Sequence, residues 1–172
     1  MKRLTILLIT LLSTTSWAQQ SKSYQDLVWR TNLPYALEDF FNQEKIRSKY
    51  ELNKELNPFY LRGDFDGDHQ MNYALAIVEI KTKKKGMLIY HPATKKDFLL
   101  GAGKMIPGGY NRDDMGWMDA WKVYDKKDVG MGVGETTKLK LKAEAIQAFK
   151  LESASGIIYW DGKEYRWYQQ GD

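Results

Sequence analysis

The chain has 172 residues, a formal net charge of +4, 43% hydrophobic and 28% charged residues, and no cysteine. That length and apolar content suffice for one compact domain with its own core. The missing cysteine excludes a disulfide framework, a thiolate metal centre and a cysteine nucleophile, and the small cationic excess excludes a surface dedicated to nucleic acid.

Residues 1–18 read as a cleaved signal peptide. Lys2 and Arg3 supply a positive start, Leu4 to Leu12 an apolar run, and Ser16-Trp17-Ala18 the small residues of a cleavage site. The apolar run is well short of the roughly 20 residues a membrane-spanning helix needs. The expectation is therefore a periplasmic or secreted protein, monomeric, with no membrane span after signal removal. Residues 19–172 would form a single domain, and losing Lys2 and Arg3 takes the net charge from +4 to +2.

The next element is a short helix over Leu33–Phe41. Asn32 is placed to cap it, Pro34 suits its first turn, and Leu33, Leu37, Phe40 and Phe41 share one face. A further helical turn is expected around Ile46 to Leu52. Strands follow at Phe59–Leu61, Tyr73–Ile80, Met87–Tyr90 and Phe98–Leu100, the last two being short apolar runs bounded by Gly and Pro. Tyr73–Ile80 is almost continuously apolar, which predicts burial on both faces. Lys81-Thr82-Lys83-Lys84-Lys85 reads as the solvated tip between two of these strands.

After the Gly- and Asp-rich connection of residues 101–119, strands resume at Ala120–Tyr124 and within Leu139–Leu151. The C-terminal stretch IIYWDGKEYRWY predicts a hairpin with a type I′ turn at Asp161-Gly162, and Tyr159, Trp160, Tyr165 and Trp167 face one another across it. The expected fold class is α+β: an N-terminal helical segment packed on a mainly antiparallel twisted β-sheet, closed by a C-terminal β-hairpin.

One short stretch carries chemistry. In GDFDGDHQMN, Asp64, Asp66 and Asp68 stand at positions 1, 3 and 5, Gln70 at 7 and Asn72 at 9. Hard cations such as calcium take six to eight oxygens, and alternating carboxylates on a tight loop supply them. An EF-hand would need Gly at position 6 and Glu at 12, where this chain has His69 and Leu75. Loop-then-strand with D-x-D-G-D-x-x-x-N resembles the FG-GAP and VCBS-type calcium loop. The resemblance implies side-chain ligands at Asp64, Asp66, Asp68 and Asn72 and a main-chain oxygen at Gln70, with calcium as a structural ion. The chain departs from that pattern at His69, where Gly is usual, and at Asn72, where Asp is usual. The order of segments, ending in YWDG, is also similar to small exported bacterial proteins with a single such loop.

Other motifs are turns. Gly101-Ala102-Gly103-Lys104 is followed by Pro107-Gly108 and lacks the helix of a phosphate loop. No Gly-x-Ser-x-Gly elbow and no His-x-x-x-His pair occurs. Trp117, Met118 and Trp121, close to Asp113, Asp114 and Asp119, form a candidate binding surface. The functional expectation is a non-enzymatic exported binding or structural module whose partner is a protein or glycan of the cell envelope. The alternatives are an exported hydrolase acting on cell-wall or polysaccharide material, using loop carboxylates or Asp113, Asp114 and Asp119, and an envelope enzyme inhibitor.

Overall fold

A computed structural model describes residues 24, 27–108, 112–125 and 128–171. The signal-peptide expectation lies outside the described residues. The chain divides into two compact units, residues 1–39 and 40–172.

In the first unit, residues 27–31 are helical. Asn32 does not cap the next helix; its Nδ2 donates to the Val28 carbonyl at 2.9 Å and closes the preceding turn. Helix α1 (Tyr35–Phe41) instead starts from Pro34, whose carbonyl accepts the Leu37 and Glu38 amides at 2.8 and 2.9 Å. Proline suits this place because the helix asks no amide hydrogen of it.

In the second unit, helix α2 (Glu44–Arg47) is a single turn. The helical turn expected through Leu52 is cut short, because Tyr50–Leu52 form strand β1, paired with residues 77–79. The remaining strands are β2 (Tyr60–Gly63), β3 (Asn72–Glu79), β4 (Lys85–His91), β5 (Lys96–Gly101), β6 (Ala120–Tyr124), β7 (Ala145–Lys150), β8 (Ala154–Trp160) and β9 (Tyr165–Gly171). They form two antiparallel sheets. In the first, β1 and β2 lie end to end along β3, followed by β4 and β5; the second runs β6-β7-β8-β9.

This overturns the expected α+β class. Among the described residues strand accounts for 40% and helix for 12%, in three short helices, so a helical segment packed on one sheet does not describe the fold. The physical reason lies in the pattern of apolar residues. Ala74, Ala76, Met87, Ile89 and Leu100 of the first sheet share one core with Trp121, Ile146, Ala148, Ile158, Tyr165 and Trp167 of the second. Each sheet hides the other's apolar face, the arrangement of a sandwich. Alanines on β3 and β7 leave room for the large rings opposite.

The second face of β3 is buried too, through Leu75 and Ile77, as its continuous apolar run predicts. Phe40 stacks on Tyr90 of β4 with ring centroids 4.1 Å apart. The connection between β6 and β7 passes over the outer face of the second sheet, where Val129 and Leu141 cluster with Ala145, Ile157 and Tyr168. The Tyr168 hydroxyl accepts the Gly132 amide at 2.8 Å and donates to the Thr137 carbonyl at 3.2 Å, which fixes this connection.

The C-terminal hairpin forms, but not with a type I′ turn. Trp160 pairs with Tyr165 across a four-residue loop, and of its members only Gly162 has positive φ. The Asp161 carboxylate accepts the amides of Lys163 and Glu164 at 2.8 and 2.9 Å. That side-chain turn replaces the backbone geometry a two-residue loop would need. Hydrogen bonding from the Glu164 amide also holds the Asp161 carboxyl below its ordinary range.

Candidate metal centre

The β2–β3 loop is built by its own side chains. Asp64 Oδ1 accepts the Gly67 amide at 2.7 Å and Oδ2 the His69 amide at 3.1 Å; Asp68 Oδ1 accepts the Gln70 amide at 2.7 Å. Gly67 and His69 both lie at positive φ, 80° and 65°. Glycine takes that conformation freely, and histidine does so at a steric cost. Phe65, fully buried, anchors the loop in the inter-sheet core.

These turns bring one carboxylate oxygen from each of Asp64, Asp66 and Asp68 within 4.8 Å of one another. Asp66 is the innermost. Its Oδ2 lies 2.9 Å from His91 Nδ1, while its Oδ1 is buried with no hydrogen-bond partner. A buried carboxylate oxygen in that state is costly unless something positive meets it. Burial pushes the Asp66 carboxyl up, the His91 pair opposes that rise, and repulsion from Asp68 and Asp64 adds to it.

His91 closes β4 and is almost wholly buried. Its Nε2 lies 2.7 Å from the Tyr165 hydroxyl of β9, and Phe98, Trp160 and Tyr165 surround the ring at centroid distances of 4.9 to 6.0 Å. Burial holds the imidazole below its ordinary pKa, against the pull of Asp66 and Asp68. Burial, with the three aspartates, pushes the Tyr165 phenol far up, so its proton stays in place. One hydrogen arrangement satisfies both ring nitrogens: Tyr165 donates to Nε2, and Nδ1–H donates to Asp66 Oδ2.

A second fastening holds Asp64. Its amide donates to Glu144 Oε2 at 2.6 Å, and the Glu144 amide donates to the Asp64 carbonyl at 3.0 Å. The loop of the first sheet is thus tied to β9 through His91 and to the entry of β7 through Glu144.

Of the five residues expected as ligands, Asp64, Asp66 and Asp68 converge. Asn72 is buried, with its Oδ1 accepting the Phe65 amide at 2.7 Å and its Nδ2 lacking a partner, so it holds the loop backbone. Gln70 is exposed. His91, Tyr165 and Glu144 escape sequence reading because they lie far from the loop along the chain; the only local hint is His91 before a proline at a strand end.

The candidate binding surface is split by the fold. Met118 and Trp121 lie in the inter-sheet core, and Trp121 Nε1 donates to the Pro58 carbonyl; Trp117 is half-buried at its edge. The neighbouring carboxylates are all engaged. Asp113 pairs with Lys84 at 2.5 Å, Asp114 Oδ1 accepts the amides of Lys85 and Gly116, and Asp119 pairs with Lys150 and accepts the Leu151 amide. Hydrogen bonds from Lys84 and Lys150 hold Asp113 and Asp119 below the usual carboxylate range, the opposite of what a general acid needs.

Comparison with protein-family models, with curated proteins and with solved structures returns no match. No helix among the described residues is long and apolar enough to cross a membrane.

Proposed function

We propose that this protein is an exported, non-enzymatic binding or structural module in which a calcium ion closes the β2–β3 loop through Asp64, Asp66 and Asp68. The observation that carries this reading is the buried, unpartnered Oδ1 of Asp66 beside two further carboxylate oxygens. A cation there would relieve the repulsion among the three groups and reverse the upward pull on Asp66. Calcium suits the donor set better than magnesium: it takes irregular, oxygen-rich sites and leaves positions for water beside the exposed Asp68. His91 would act as the outer partner that fixes the rotamer of Asp66, as second-layer groups do around bound metals.

The ion would be structural, stabilising the folded state by binding only that state. A non-catalytic role is supported by the burial of His91 and by the ion pairs and amide bonds that occupy Asp113, Asp114 and Asp119. Calorimetric titration of chelator-treated protein with calcium tests the reading. Saturable binding with a raised Tm is expected, and no heat and no change in Tm would refute it. Mass spectrometry of the protein recovered from the envelope and medium, expected to start near Gln19, tests export.

A further inference from the structure

Where Trp117 emerges from the core, a cleft of about 380 Å³ opens, lined by Arg112, Trp117, Lys150, Ser153, Ser155 and Trp167. This volume lies within the range of small-molecule sites, about 300–1,000 Å³. We propose that this cleft binds an acidic oligosaccharide, one pyranose ring seated on Trp117 and its carboxylate held by Arg112.

Four observations carry the assignment. The rings of Trp117 and Trp167 stand perpendicular, with centroids 5.7 Å apart, and form a rigid apolar corner. A pyranose offers a flat C–H face to such a surface, while its hydroxyls need partners at the edge. Second, Trp167 is locked from behind. Its Nε1 donates to Gln169 Oε1 at 3.0 Å, and its ring lies so close over Gly156 that a Cβ there would sit 2.0 Å from Cζ2.

Third, Ser153 and Ser155 place two hydroxyls at the rim, and neither side chain forms a hydrogen bond among the described residues. They can serve as donor or acceptor, the versatility that sugar hydroxyls ask for. Fourth, the charge is of one sign. No acidic residue is among the described residues lining the cleft. Lys150 is held by Asp119 at 3.1 Å, and Arg112 makes no ion pair with a described residue. A guanidinium in this position matches a planar carboxylate. The cleft is separate from the aspartate loop, so the proposal stands or falls independently of calcium.

The test is titration of the purified protein with tetragalacturonate, cellotetraose and tetraglutamate, read by calorimetry and by the indole N–H resonances. Tetragalacturonate is expected to bind saturably and to shift the Trp117 and Trp167 signals while leaving Trp121, bonded to Pro58, in place. Arg112→Gln should weaken tetragalacturonate by about tenfold and leave cellotetraose unchanged, since one charged contact is worth about that factor. Arg112 packs no core, so this variant folds. Absence of saturable binding by tetragalacturonate would overturn the proposal. So would equal binding of tetraglutamate, which would make the cleft a general anion site, or binding that leaves the Trp117 signal unmoved.

Discussion

Replacing Asp66 by Asn should change sign with the ion. Without calcium, the wild-type carboxylate bears repulsion from Asp64 and Asp68 and keeps one buried oxygen without a partner. The amide introduced by Asp66→Asn has nearly the same shape. Its oxygen can accept His91 Nδ1–H, and its NH2 can donate to a neighbouring carboxylate. One relieved buried acceptor is worth about 1 kcal/mol, so the variant should equal or exceed wild type by that amount in chelator. With calcium at a hundredfold excess over Kd, binding adds about 2.7 kcal/mol to wild type. For a chain of this size that is roughly 5–10 °C in Tm. The variant should lose most of this gain. Differential scanning calorimetry in chelator and in calcium, on both proteins, gives all four values. Equal destabilisation of the variant in both buffers would refute the reasoning, because the loop would then need the carboxylate for hydrogen bonding alone.

Three further outcomes are expected. Tyr165→Phe keeps the ring in the aromatic cluster but leaves His91 Nε2 buried without a donor; chemical denaturation should show a loss of about 1–3 kcal/mol. Gly156→Ala drives a methyl into the Trp167 indole, and overpacking of this kind costs about 1–3 kcal/mol, with an altered near-ultraviolet circular dichroism spectrum as the accompanying sign. Lys83→Ala removes an exposed pair with Glu51 at 3.1 Å and should change stability by less than about 1 kcal/mol in the same denaturation assay.

The fold is legible in the chain where the physics is local. Alternation and Gly/Pro punctuation mark β2 through β6 within a few residues, and the continuous run Tyr73–Ile80 states its two-sided burial outright. The aspartate spacing likewise converges three carboxylates, because alternate residues in a tight loop share one side. What fails is what depends on partners distant along the chain. The apolar side chains of Met87 and Ile89 on one strand and of Ile146 and Ile158 on others say that something covers them, but not that the two sets cover each other. A helix layer and a second sheet satisfy the same pattern. Asp161 makes an ordinary hairpin dipeptide with Gly162 on paper, yet its carboxylate takes two downstream amides and lengthens the loop. His91 looks like a strand-end residue until β9 delivers Tyr165 to its far nitrogen.

The fastening of the aspartate loop also makes the site depend on distant parts of the chain. Asp64 is tied to Glu144, 80 residues onward, and His91 to Tyr165, 74 residues onward. Neither tie belongs to the sheet that carries the loop, and pairings over such separations close slowly. Without β9 the first sheet would hold an acidic loop whose inner carboxylate has His91 but whose histidine lacks its far partner. The loop's inner histidine is fully partnered only with the last strand in place, so β9 acts as the latch for a site encoded near residue 64.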